Sequence, residues 1–120
     1  MKRFENMEMW ASGRALVKSI YGISKNPLFF KDYGLRDQIR RASVSIVSNI
    51  AEGAESQSNL SFCRFLYSAR ASSAEVRTQL YLAADLNYIS DAECAQLVTQ
   101  AESISRQITG FIAYLQKTSN

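Results

Sequence analysis

The chain has 120 residues, 47% of them hydrophobic, with one Pro, five Gly, two Cys and no His. That length suits one domain and is short for two, and so few chain breakers exclude a loop-rich or many-stranded fold. The missing His excludes His-based acid–base catalysis, Ser–His and Cys–His nucleophiles and the common zinc sets.

In chain order, the hydrophobic pattern is helical nearly throughout. A first helix is expected over residues 6–25 and must stop at Asn26-Pro27, because Pro excludes the α conformation at the residue before it. Met9, Leu16, Ile20 and Ile23 form its core stripe, and Trp10, Val17 and Tyr21 form a second stripe beside it. A second helix is expected over 33–53. Asp32 can cap it, its stripe runs Leu35, Ile39, Ala42, Ile46, Ile50 and Gly53, and Gly53 suits its C-terminal end. Val44, Val47 and Ala51 add a patch on its far side. A third helix, 58–87, has Ser58 as its N-cap and the stripe Phe62, Leu66, Ala69, Ser73, Val76, Leu80 and Ala83. A fourth, 90–117, opens on Ser90 with Glu93 three residues on, which is a capping box stapled by Ile89. Its seam of Leu97, Ala101, Ile104, Ile108, Phe111 and Leu115 keeps heptad spacing.

Only about three residues separate the last two helices, so they must fold back on each other. The expected fold is therefore all-α: a single-domain, antiparallel, up-down-up-down four-helix bundle covering residues 1–120. In such a hairpin Cys63 and Cys94 lie roughly 28 Å apart along the axes, far beyond disulfide reach. Reduced cysteines, no secretory pattern at the N-terminus and no stretch of membrane-spanning length point to the cytoplasm.

Net charge is +3, from 14 Lys and Arg against 11 Asp and Glu, and it is unevenly spread. Residues 1–41 hold nine basic and four acidic side chains, whereas residues 42–120 hold five and seven. On the first helix Arg14, Lys18 and Lys25 fall within about 40° of one another around the axis. On the second, Arg36 and Arg40 lie one turn apart with Arg41 round the side. Together with Trp10 and Tyr21 these residues fit a surface that grips phosphates and stacks bases, and they equally fit a solvated, solubilising face. Trp10, Val17, Tyr21, Val44, Val47 and Ala51 likewise fit either a broad core contact or an interface between copies.

Two polar ridges share one spacing: Arg41, Ser45, Ser48 and Glu52 on the second helix, and Ser68, Ser72, Glu75 and Gln79 on the third. Glu52 and Glu75 would make a carboxylate pair, but bundle di-metal sites use Glu-x-x-His, so structural hydrogen bonding is the favoured role. No metal site, cofactor or catalytic residue is expected.

The run from Gln38 to Ile46 followed by Ser48-Asn49-Ile50-Ala51-Glu52-Gly53 resembles the QxRRAxxSIxxNIAEG signature of the four-helix-bundle family encoded within intervening sequences of bacterial 23S rRNA genes. Phe4 to Trp10 resembles its FxxLxxW opening, with Met7 in the Leu position, and Tyr33-Gly34-Leu35 its YGL. Phe65-Leu66, Ala69-Arg70-Ala71-Ser72, Glu75 and Thr78-Gln79-Leu80 resemble its FLxxARGSxxExxTQL, with Ala71 in place of Gly. Tyr88-Ile89 matches the turn that follows. The resemblance covers nearly the whole chain. It implies a small cytosolic bundle that assembles into closed homopentameric rings, related to the basic accessory protein of diversity-generating retroelements, which is associated with nucleic acid and a reverse transcriptase. It does not imply a structural component of the ribosome.

The expected function is thus a non-enzymatic homo-oligomeric scaffold that associates with RNA or DNA through Arg14, Lys18, Lys25, Arg36, Arg40 and Arg41. The alternative is a scaffold for a protein partner with no nucleic-acid role.

Overall fold

Three of the four long helices begin where a capping side chain dictates. Ser90 Oγ accepts the Glu93 backbone N–H at 3.0 Å while Glu93 Oε1 accepts the Ser90 N–H at 2.9 Å, which completes the capping box. Ser58 Oγ accepts from the Ser61 N–H, and Asp32 Oδ1 from the Leu35 N–H, both at 3.1 Å. The computed structural model describes residues 3–118. After a 3₁₀ turn at Phe4–Asn6 come α1 (Glu8–Ile23), α2 (Pro27–Lys31), α3 (Tyr33–Ala54), α4 (Asn59–Asp85) and α5 (Asp91–Lys117).

Four long helices form an antiparallel bundle in which α1 lies beside α3 and α5, and α4 beside α3 and α5. The molecule measures 49 × 21 × 20 Å, as a bundle of helices about 40 Å long requires. Both α1–α3 and α4–α5 turns lie at one end. Its core follows the expected stripes, with Leu16, Ile20, Ile39, Ile46, Ile50, Leu66, Leu80 and Ile108 fully buried, each contributing about 1.5–3 kcal/mol of transfer free energy. Ile23, Leu35 and Phe111, however, are only half-buried, and Ile112 fills the core beside Phe111. Cys63 and Cys94 are buried free thiols.

The α4–α5 turn is a Schellman motif. The Tyr88 N–H reaches back to the Ala83 carbonyl and the Asn87 N–H to that of Ala84, with Asn87 left-handed at φ 61°. Asn tolerates that conformation better than most residues.

Two further details differ from the sequence expectation. The connection after Pro27 is not a plain loop, because Pro27–Lys31 form a five-residue helix with Phe29 fully buried against Tyr88, ring centroids 5.4 Å apart. Gly53 does not end its helix. It sits inside the last turn with a right-handed φ, and a Cβ there would lie 2.7 Å from Phe62 Cδ1 and 2.9 Å from Phe65 Cβ. Gly53 is required by the close approach of α4, not by a turn.

Candidate nucleic-acid interface

At the turn end, the last turn of α1, the short α2 and the first two turns of α3 bring five side chains into one chain of cation–π contacts. The Arg36 guanidinium lies 4.9 Å from the Tyr33 ring centroid and 4.5 Å from that of Phe30. One turn on, Arg40 lies 5.8 Å from Phe30 and 4.4 Å from Tyr21. Hydrogen bonds fix both arginines. Arg36 Nη1 donates to the Phe30 carbonyl at 3.1 Å and its Nε to Asp37 Oδ1 at 2.9 Å; Arg40 Nε donates to Ser24 Oγ at 2.8 Å. The bond from Arg36 holds the Asp37 carboxyl below its ordinary pKa, against a smaller desolvation effect. Arg36 therefore pairs within its own chain. The aromatic members remain open to solvent, Tyr33 at 64% exposure and Phe30 at 45%.

The remaining basic candidates divide by what covers them. Arg14 is exposed but lies over Trp10, 5.4 Å from the ring centroid, and Phe4 packs edge-on against the same ring. Lys18, Lys25 and Arg41 are exposed. The fold adds Lys31, exposed at the end of α2. Layer by layer, the bundle sorts charge more sharply than the sequence does. In the turn half of the α1–α3 layer, six cations (Lys18, Lys25, Lys31, Arg36, Arg40, Arg41) face two carboxylates (Asp32, Asp37), a balance of +4. The turn half of the α4–α5 layer holds Arg77 against Glu75, Asp85, Asp91, Glu93 and Glu102, a balance of −4.

The second apolar stripes lie along the seam between α1 and α3. Val47 Cγ1 would be 2.8 Å from a Cβ on Gly13, and Tyr21 lies under Arg40. That antiparallel register places Trp10 level with Ala51 and Val17 level with Val44. Val17, Val47 and Ala51 are half-buried within the single chain, leaving Tyr21 and Val44 as the open rim. Gly13 is the sequence signal for this close seam, since in a helix it otherwise only costs stability.

Between α3 and α4 the two polar ridges meet at Ser45 and Ser72. Ser72 Oγ bonds Ser45 Oγ at 2.9 Å, and Asn49 Nδ2 donates to Ser45 Oγ at 3.0 Å and to its carbonyl at 2.9 Å. Gln79 is buried beyond them with its Oε1 unpaired. Ser48, Glu52 and Glu75 are exposed, so the two carboxylates face solvent and the structural hydrogen bonding expected of them is not formed among the described residues. Within the run from Ser48 to Gly53, Ile50 fills the core, Asn49 ties the ridge and Gly53 admits α4. Ala71, where the family pattern has Gly, points outward and crowds nothing inside the chain.

The turn end is tied together through Tyr88, whose hydroxyl donates to Asp32 Oδ2 at 2.9 Å while its carbonyl accepts from Asn26 Nδ2 at 3.3 Å. The Asp32 bond, followed by burial and the carboxylate charge, raises the phenol pKa above its ordinary value. A raised pKa means the fold favours the protonated phenol. That contribution is whole at neutral pH and is lost as pH rises through the folded-state pKa, above about pH 10. Thermal melts at pH 8 and about pH 10.5 should therefore show a larger alkaline loss for wild type than for Tyr88→Phe. Equal losses would show that this bond does not titrate with the fold.

Helix packing, register and buried seams define an all-α four-helix bundle, and no described helix is long and apolar enough to cross a membrane. The profile of the 23S rRNA-intervening sequence protein family matches residues 5–110, and the chain belongs to that family. A crystal structure of a protein of unknown function from the S23 ribosomal protein family of Bacteroides thetaiotaomicron superposes with a TM-score of 0.81 at 22% identity, covering 87% of this chain and 97% of that one. At that identity it shows the fold alone. No functionally curated protein matches the sequence.

Proposed function

We propose that the protein is a non-enzymatic cytoplasmic scaffold that works as a homo-oligomer and holds nucleic acid at the basic turn end of its α1–α3 layer. A pentameric ring is the assembly that the family resemblance favours. The observation that supports the nucleic-acid role best is the placement of the Tyr33–Arg36–Phe30–Arg40–Tyr21 contacts inside the half-layer whose balance is +4. Cations supply phosphate affinity, and aromatic and guanidinium planes supply stacking. Ring assembly would raise the local concentration of such sites without any new contact.

Self-association is supported by the outward face of α4. Leu60, Tyr67, Tyr81 and Leu82 are each 43–65% exposed there, with Arg64, Ala71, Ala74 and Thr78 between them, so the strip is apolar except at Arg64 and Thr78. So long an apolar strip on a small chain is what an interface between copies buries. A protein partner is the second reading, favoured by the −4 turn half of the α4–α5 layer, which would suit a basic partner.

Light scattering of the purified protein, read with its 260/280 nm absorbance ratio across salt, tests this. The expected result is a mass several times the 13.5 kDa chain, with absorbance from nucleic acid at low salt that is lost at high salt. A 13.5 kDa monomer would contradict the oligomer, and a protein-only ratio at every salt would contradict the nucleic-acid role.

A further inference from the structure

We infer that the turn end takes single-stranded rather than duplex nucleic acid, with an unpaired base stacked on the open face of Tyr33 and neighbouring phosphates on Lys25, Lys31 and Arg41. The inference rests on the nucleic-acid reading above and narrows it to one ligand class.

A base can stack only on an aromatic ring that is open to solvent. Trp10, Tyr21 and Tyr33 each lie under an arginine, so what separates them is exposure: Trp10 is half-buried and Tyr21 is 39% exposed. Tyr33 is different. It ends the chain of cation–π contacts, with Arg36 over its ring and 64% of the residue in solvent. Phe30, at 45% exposure, stands beside it on α2. A flat π-system is the group that continues such a stack, and nucleobases are sequence-tolerant stackers on aromatic side chains and guanidinium planes.

The site is also built before any ligand arrives. Arg36 is fixed by Asp37 and the Phe30 carbonyl, Arg40 by Ser24, and α2 by the buried Phe29. Little side-chain freedom is left to lose on binding. Exposed Lys25, Lys31 and Arg41 lie in the same half-layer and supply the charge that matches a phosphate backbone.

Duplex and single strand differ in what they can offer this surface. A duplex presents phosphates but keeps its bases stacked on one another, so it would use only the cations. A single strand can turn one base out onto Tyr33 and use both. Preference between the two forms therefore reports the aromatic part of the site, and salt dependence reports the charged part.

The test is fluorescence anisotropy with labelled oligo-dT, oligo-rU and a mixed-sequence DNA duplex, each of about twelve nucleotides per strand, on wild type, Tyr33→Ala and Tyr33→Phe. Tyr33 is exposed at the first turn of α3, so neither change should disturb the bundle, and far-ultraviolet circular dichroism checks that. Single strands should bind wild type at least about tenfold more tightly than duplex. Tyr33→Ala should weaken single-strand binding about 5- to 150-fold, the range of one lost base stack. Duplex binding should not move, and Tyr33→Phe should stay within about twofold of wild type because it keeps the ring. Duplex bound as tightly as single strand, or Tyr33→Ala without effect on a strand that does bind, would overturn the inference and leave the nucleic-acid role standing. Failure of all three probes to bind at low salt would overturn that role, and the inference with it.

Discussion

Phe29→Ala is expected to lower stability by about 3–5 kcal/mol, the range for losing a fully buried aromatic ring. It should also weaken nucleic-acid binding. Phe29 is 0% exposed and is the only buried residue of α2. A five-residue helix is too short to persist by itself, since isolated helices below about 12–15 residues are marginal in water. The one side chain that seats α2 in the core is thus the Phe29 ring packed on Tyr88. Without it the segment loses its seat, and Phe30 leaves with it. Arg36 then loses the Phe30 ring at 4.5 Å and the Phe30 carbonyl at 3.1 Å. Urea unfolding measures the first effect and oligonucleotide anisotropy the second. A loss below about 1 kcal/mol with unchanged binding would mean that α2 is held by something other than Phe29.

The next largest effect is expected at Gly53. Inside a helix, Ala is favoured over Gly by about 0.5–1 kcal/mol, so substitution would ordinarily stabilise. Here a Cβ meets the Phe62 ring at 2.7 Å and Phe65 Cβ at 2.9 Å. The second atom is fixed to the backbone of α4, so relief requires moving the helix. Overpacking of this kind costs about 1–3 kcal/mol and outweighs the propensity gain. Gly53→Val should reach about 3 kcal/mol, the upper end of that range, and Gly53→Ala should be destabilising by less. Gly110 is the internal control. It is also inside a helix, but nothing lies within 4 Å of a Cβ built there, so Gly110→Ala should stabilise by about 0.5–1 kcal/mol. If Ala stabilises at both positions, the close approach of α3 and α4 at Gly53 is wrong.

These two positions also show where sequence reasoning stops. Caps and stripes are local, so Ser58, Ser90 with Glu93, and the rows from Ile39 to Ile50 and from Leu97 to Leu115 were legible without coordinates. Pro27–Lys31 was not, because five residues carry no readable period and the partner of Phe29 is Tyr88, far along the chain. Gly53 was legible as a special residue but not for its reason, which lies in α4. The basic candidates were visible as a cluster. Their division was not: Arg36 and Arg40 are bound to rings on α1 and α2, leaving Lys18, Lys25 and Arg41 open. The −4 half opposite the +4 half arises only when the α4–α5 hairpin folds its acidic turn to the same end.

The central claim, a surface that holds nucleic acid through phosphate contacts, is tested most directly by salt. Four cations of the turn half, Lys18, Lys25, Lys31 and Arg41, are exposed. If each meets one phosphate of a single strand, affinity should fall about 50-fold between 50 and 200 mM salt. Equilibrium binding of the wild-type protein to one labelled oligonucleotide at several salt concentrations gives the slope. A steep log–log decline of that order is the predicted result. Binding that stays flat across the range, or that is absent with both RNA and DNA at 50 mM salt, would contradict it.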